Sequence, residues 1–96
     1  MNSNIEEITN FILKLNSKEE AQAFLKEMLS EAEMSALSKR WHILSMLAEG
    51  RTQRDIVKEL KVSLCKVTRG SKLLKDKNSV ITKHFMENSN YGNNND

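Results

Sequence analysis

Proline is absent from this sequence of 96 residues, and glycine occurs only three times. Both residues are common in the tight turns that join short β-strands, so their scarcity argues against a turn-rich β fold. Aromatic residues make up 5% of the chain, whereas 39% of the residues are hydrophobic and 29% are charged. This composition favours long uninterrupted helices, and we expect an all-α protein.

Several features that would indicate other classes of protein are missing. The single cysteine, Cys65, cannot form an internal disulfide, and no apolar run in the sequence approaches a membrane span of roughly 20 residues. The N-terminus lacks the apolar region of a signal peptide, so we expect a cytoplasmic protein without membrane contact. His42 and His84 lack neighbouring metal ligands, and no catalytic set of residues is recognisable, so we expect no metal site, no cofactor and no enzymatic activity.

Positive charge is concentrated in one segment of the chain. Residues 51–77 contain nine Lys or Arg and three acidic residues, a net charge of +6, whereas residues 1–50 contain five Lys or Arg and eight Glu. On charge alone, a solvated basic face and a binding site for a polyanion explain this segment equally well. The motif inside the segment has to decide between them.

Apolar residues at spacings of three and four predict six helices. Capping residues mark where four of them begin: Ser17 and Ser30 are each followed three residues later by Glu, as in a capping box, and Thr52 and Ser63 are N-cap residues. Gly50 is expected to end the third helix. The pattern predicts one helical domain over residues 1–87 and a disordered, Asn-rich tail over residues 88–96.

The first three helices have more apolar surface than a chain of this length can cover by itself. We therefore expect them to form the core of a homodimer. Trp41 falls on the apolar stripe of the third helix, so we expect it to be a core residue.

A helix-turn-helix is predicted over about residues 52–75. Two short helices are separated by a turn of three or four residues, and the second is opened by a capping Ser. Two positions depart from the usual pattern, because Val57 is bulky for the helix crossing and Lys61 stands where many such turns have Gly. The apolar positions expected to face inward are Ile56, Leu60, Val62 and Val67.

The stretches TQRDIVKEL from Thr52 and VTRGSKLLK from Val67 resemble the helix-turn-helix of the tryptophan repressor family, and LSEAEMSAL from Leu29, with Arg40, is similar to the start of that family's third helix. The resemblance covers about half of the chain. It implies an intertwined homodimer of six-helix chains that binds palindromic operator DNA. Free tryptophan, bound between the helical core of the dimer and each helix-turn-helix, would act as the corepressor. It would do so by setting the distance between the two helix-turn-helix motifs.

The resemblance also assigns ligand residues. Arg40 and Arg69 would lie on opposite faces of the indole, with Arg69 also reaching the carboxylate, and planar guanidinium groups suit both tasks. Ser30 matches a Thr that helps to bind the carboxylate, and Gly70 would let the ligand approach the helix backbone. The carbonyl groups of Glu27 and Leu29, contributed by the other subunit, would accept hydrogen bonds from the ammonium group.

Leu73 stands where the family has a Ser close to the ligand's amino group. Leu cannot make that polar contact. The alternative roles are a surface cation for Arg40 and a phosphate contact for Arg69.

On the DNA side, Arg54 matches a residue that reads guanine, a base to which Arg can donate two hydrogen bonds. Lys66 replaces a smaller polar residue at the start of the recognition helix and is also expected to contact DNA. The residues that match phosphate-contacting or nearby positions are Gln53, Lys58, Thr68 and Lys75. A regulator of the same fold that ignores tryptophan, and a helical protein-interaction module, remain as alternative interpretations.

Overall fold

The computed structural model describes residues 3–88, which form six α-helices without any β-strand. The predicted all-α fold of six helices is confirmed for this part of the chain. Asn88, the first residue of the predicted tail, belongs to the last helix, and residues 89–96 lie outside the described residues. The helices are α1 (Ser3–Lys14), α2 (Lys18–Met28), α3 (Glu31–Ala48), α4 (Gln53–Leu60), α5 (Leu64–Lys75) and α6 (Val80–Asn88). None of these helices is long and apolar enough to cross a membrane.

Side-chain caps determine where four of the helices begin. Ser17, Thr52 and Ser63 each accept a hydrogen bond from the backbone N–H three residues later, at 3.0, 3.1 and 3.3 Å. At the start of α3 the capping box is complete, because Glu33 N–H donates to Ser30 Oγ at 3.1 Å and Ser30 N–H donates to Glu33 Oε1 at 2.8 Å. These bonds satisfy backbone donors that a helix N-terminus leaves without partners.

The end of α3 is a Schellman motif centred on Gly50. The Gly50 N–H donates to Leu47 O at 3.0 Å, and the Arg51 N–H donates to Met46 O at 3.1 Å. Gly50 has a φ of +93°, a conformation that glycine adopts without steric cost. The motif ends α3 and changes the direction of the chain before α4.

The chain divides into two compact units, Met1–Ser35 and Ala36–Asp96. In the first unit, Phe11 of α1 contacts Phe24 of α2 with 5.3 Å between ring centroids. Neither α1 nor α2 has a buried residue. Apolar residues at three- and four-residue spacing in α1 therefore stay largely exposed in the single chain, with Ile5 52% and Ile12 46% accessible.

The second unit contains two clusters of buried residues. The first joins α3, α4 and α5 through Ile43, Met46, Ile56 and Val67, and the last two are completely buried. The second joins α3 to α6 through Leu44, Ala48 and Phe85. Adjacent residues of α3 therefore serve different clusters, so the C-terminal half of α3 packs against the helix-turn-helix on one side and against α6 on another.

Trp41 differs from the expectation of a core residue. It is 45% exposed, and its ring lies 5.0 Å from that of Phe85 and 5.4 Å from that of His84. The indole therefore packs along α6 and keeps a large accessible surface. The periodicity of α3 correctly predicted the face of the helix on which Trp41 lies. How deeply its side chain is buried depends on the packing of α6 against α3.

Candidate functional site

The helix-turn-helix consists of α4 and α5 joined by residues 61–63. Lys61 ends α4 with φ 55° and ψ 46°, a left-handed conformation, and its N–H donates to Val57 O at 2.9 Å. This is the position at which the sequence lacks the usual Gly, so a side chain is held where only Gly is unstrained. Val57 and Val62 are half-buried against the first core cluster, which accommodates the bulky crossing residue.

A side-chain hydrogen bond ties the two helices together. The Thr68 hydroxyl donates to Gln53 Oε1 at 3.0 Å, in a partly buried position. Gln53 begins α4 and Thr68 lies in the second turn of α5. Both were predicted to lie near DNA phosphates, and the sequence gave no sign that they bond to each other.

Arg51 neutralises the acidic residues of α4. Its Nη2 donates to Glu59 Oε1 at 2.5 Å, and its Nε lies 3.9 Å from Asp55 Oδ2. The hydrogen bond to Glu59 is the largest reason why the pKa of Arg51 is raised, so the guanidinium stays charged. The cations of α4, Arg54 and Lys58, are one helical turn apart and exposed.

The recognition helix α5 has no acidic residue and four cations, which are Lys66, Arg69, Lys72 and Lys75. Lys75 lies nine residues after Lys66, about half a turn around the helix. It lines a smaller cavity of about 150 Å³ next to Thr82 and Phe85 of α6. The structure therefore separates Lys75 from the other predicted DNA-contacting lysine of this helix.

A cleft of about 600 Å³ lies between α3 and α5. It brings together four of the predicted ligand residues, Arg40 from α3 and Arg69, Gly70 and Leu73 from α5. Lys66, predicted to contact DNA, also lines it. The remaining lining residues are Ala36, Lys39, Ile43, Leu44, Lys72 and Asp76. The size of the cleft is typical of sites for small organic ligands, and six of its eleven lining residues are charged.

Positive charge dominates the cleft. Asp76 is its one acidic lining residue, and its Oδ1 already accepts a hydrogen bond from Asn78 N–H at 2.9 Å. Within residues 3–88 no carboxylate lies at ion-pair distance from Arg40 or Arg69. The two guanidinium groups are therefore available to an anionic ligand.

Gly70 has a role in helix packing in addition to the ligand access expected from the sequence. A Cβ atom at this position would lie 3.3 Å from Leu47 Cδ1 and 3.4 Å from Ile43 Cγ2. The missing side chain therefore lets α5 approach α3 closely. The prediction emphasised ligand access, whereas these distances show that a side chain here would also crowd Leu47 of α3.

The other predicted ligand residues, Glu27, Leu29 and Ser30, belong to the first unit, whereas residues of the second unit line the cleft. Ser30 Oγ already accepts the capping hydrogen bond from Glu33, which leaves its hydroxyl proton for a further acceptor. Leu29 is the C-cap of α2.

Sequence reasoning did not assign Arg51 a role or place Lys39 and Lys72 at the cleft. Lys72 follows Arg69 by three residues, a spacing that places both on one face of α5 and could have indicated the cleft position of Lys72. Lys39 directly precedes Arg40, and that spacing gives no such indication. The ion pairs of Arg51 with Asp55 and Glu59 depend on the turn after α3, and no pattern in the sequence indicated them. In the described part of the chain, no group of His, Cys, Asp and Glu side chains could hold a metal ion.

Comparison with known proteins gives concordant matches. The family model described as "Trp repressor protein" matches residues 3–89. Proteins named "Trp operon repressor homolog" from Chlamydia trachomatis serovar D and serovar L2 are 40% identical to this chain over 68 residues, which is 66% of this chain and 72% of each relative. No solved structure matches the chain.

Proposed function

The chain belongs to the Trp repressor family and is a repressor-type regulator rather than an enzyme; from this premise we propose that it binds palindromic operator DNA as a homodimer, with free tryptophan as corepressor. The observation that carries the ligand assignment is the cleft between α3 and α5. Arg40 and Arg69 line it from the two helices, together with Gly70 and apolar side chains.

The chemistry of the cleft suits an aromatic amino acid. A guanidinium group can stack on an indole face and can also donate two hydrogen bonds to a carboxylate. Ile43 and Leu44 supply apolar walls for the ring. As the family resemblance implies, the ammonium group would be received by the carbonyl groups of Glu27 and Leu29 of the second subunit.

DNA binding is supported by the charge and the geometry of the helix-turn-helix. Such motifs insert the N-terminal part of their second helix into the major groove, while cations along the backbone neutralise phosphates. Here Arg54 would read guanine, and Gln53, Lys58, Lys66, Thr68 and Lys75 would contact or approach the phosphates. The pairing of Arg51 with Asp55 and Glu59 keeps acidic charge on α4 compensated.

Dimer formation is supported by the exposed apolar residues of the first unit. A chain of this size gains stability when such residues are covered by the same surface of a second copy. The two-fold symmetry of that arrangement would place two helix-turn-helix motifs against the two halves of a palindrome.

Tryptophan would couple to DNA binding through the position of α5. The ligand contacts α3 on one side and α5 on the other, so it favours one arrangement of the recognition helix over others. If that arrangement fits the operator, tryptophan and DNA must raise each other's affinity by the same factor.

A second candidate is a regulator of the same fold that does not respond to tryptophan. Leu73 favours it, because this side chain lines the cleft, is 37% exposed and cannot hydrogen-bond to an amino group.

Selection of duplexes from a random library, with and without tryptophan, tests the proposal. We expect a palindromic sequence to be enriched in tryptophan, and its affinity to fall steeply as salt is raised. Enrichment of the same operator to the same extent without tryptophan would favour the second candidate. Absence of any selected duplex at low salt, or sedimentation of a folded monomer at micromolar concentration, would contradict the proposal.

A further inference from the structure

Thr82 is a buried polar residue in the first turn of α6. It is 5% exposed, and its hydroxyl donates a hydrogen bond to the backbone carbonyl of Leu73 at 2.8 Å. Its own N–H donates to Ser79 Oγ at 3.2 Å, which fixes the backbone of α6 at this residue. Thr82 therefore joins the start of α6 to the end of the recognition helix α5.

The carbonyl that accepts this bond belongs to the last turn of α5, where carbonyl groups lack partners within the helix. Leu73 O also accepts a hydrogen bond from the N–H of Asp76, the C-cap of α5, at 3.1 Å. The other end of α5 is fixed separately, because Thr68 in its second turn is hydrogen-bonded to Gln53 of α4. Side-chain hydrogen bonds thus connect α5 to α4 near its start and to α6 at its end.

The end of α5 that Thr82 contacts is also part of one wall of the cleft. Leu73 and Asp76 line the cleft on this side, and residues of α3 form the opposite wall. Helix α6 packs against α3, because Phe85 is buried in one cluster with Leu44. Thr82 therefore connects the α5 wall of the cleft to a helix that is packed on the α3 wall.

We propose that Thr82 is a positioning residue, whose hydrogen bond to Leu73 O keeps α5 in the arrangement that binds both tryptophan and the operator. This inference rests on the proposed function. Thr82 does not line the cleft itself, so it acts through Leu73. When the bond is absent, the end of α5 is free to leave α3 in a larger share of the molecules. Tryptophan and operator must then spend part of their binding free energy on restoring the arrangement.

Thr82→Val tests the proposal because it removes the hydroxyl and keeps the shape of the side chain. Leu73 O retains the hydrogen bond from Asp76, so no buried carbonyl loses its last partner. Tryptophan affinity, and operator affinity without tryptophan, should each fall about fivefold, the net effect of one hydrogen bond. Operator affinity at saturating tryptophan should stay nearly unchanged. The factor by which tryptophan raises operator affinity should therefore increase about fivefold.

Two further variants serve as controls. Thr82→Ser keeps the hydroxyl and should give the values of the natural sequence. In Thr9→Val the lost hydrogen bond has the same length, 2.8 Å to Ile5 O, but lies within α1, so the tryptophan factor should not change. Fluorescence anisotropy with the selected operator, without tryptophan and at saturating tryptophan, measures the factor. Urea midpoints report the stability of each variant.

The outcomes separate a positioning role from a purely structural one. A lower urea midpoint for Thr82→Val with an unchanged tryptophan factor would overturn the proposal, and so would a Thr82→Ser variant that behaves like Thr82→Val.

Failure of the proposed function gives a different result. If tryptophan does not affect the operator affinity of the natural sequence, the corepressor assignment fails, and operator affinity alone decides the role of Thr82. A loss in Thr82→Val that Thr82→Ser does not share then supports the role, and equal affinities overturn it. If no operator is selected, both proposals fail.

Discussion

The Thr68 hydroxyl and the Gln53 side-chain carbonyl are joined by a hydrogen bond of 3.0 Å that connects the second turn of α5 to the first residue of α4. This bond fixes the recognition helix against the helix that carries Arg54. Because the two residues are fifteen positions apart, the bond forms only when α4 and α5 pack together as a helix-turn-helix. The buried pair Ile56 and Val67 holds the same two helices from the core side.

Replacing Thr68 by Val should destabilise the protein by about 1 kcal/mol, because it removes the hydrogen bond while keeping the shape of the side chain. Urea unfolding measures the change. Thr9→Val is the matched control, since the Thr9 hydroxyl bonds only within its own helix, to Ile5 O, and is exposed. Equal effects of the two substitutions would show that the bond between α4 and α5 adds no stability.

Lys61→Gly should be more stable than Lys61→Ala by about 1 kcal/mol, because Gly alone adopts the left-handed conformation without a clash. Both variants lose the same charge, so the comparison isolates the backbone effect. Thermal or urea unfolding of the pair checks it. A more stable Ala variant would mean that the turn relaxes away from φ 55°.

Arg51→Gln should weaken binding to all duplexes by a similar factor, because Asp55 and Glu59 then lie uncompensated beside Arg54 and Lys58. The loss should shrink as salt screens the charges. Fluorescence anisotropy with specific and random duplexes measures it. Adding Glu59→Gln to Arg51→Gln should recover part of the affinity, and no recovery would contradict the electrostatic explanation.

Arg54→Ala should cost about 1 to 3 kcal/mol on the operator and relax the preference at one base pair, as expected when a bidentate contact to guanine is lost. Lys75→Ala should weaken binding about equally for all sequences and reduce the salt dependence by about one ion. Affinities for operators with single base changes test both. If the two variants behave alike, the division into base and phosphate contacts is wrong.

Local sequence signals predicted the helices of this protein well, because the information lies within a few residues. Ser17, Ser30, Thr52 and Ser63 accept backbone N–H groups three residues away, and Gly50 has the positive φ that its place after α3 suggested. The gathering of Arg40, Arg69, Gly70 and Leu73 at one cleft was anticipated through the family resemblance.

Contacts between distant residues were not predictable in the same way. The hydrogen bond between Arg51 and Glu59 depends on the turn at Gly50, which brings α4 next to Arg51. The hydrogen bond between Thr68 and Gln53 depends on the turn at Lys61. The exposure of Trp41 depends on the path of α6, which no periodicity in α3 encodes. These features follow from tertiary packing.

Calorimetric titration of the protein with tryptophan, in the absence and presence of operator duplex, tests the central claim most directly. We predict one tryptophan per chain, an affinity that the operator raises by about 5- to 150-fold, and an equal effect of tryptophan on operator affinity. Arg40→Ala should lose the response and keep weak DNA binding, whereas Leu73→Ser should bind tryptophan more tightly by restoring a polar contact. No heat of binding at millimolar tryptophan for the natural sequence and for Leu73→Ser would contradict tryptophan as the corepressor.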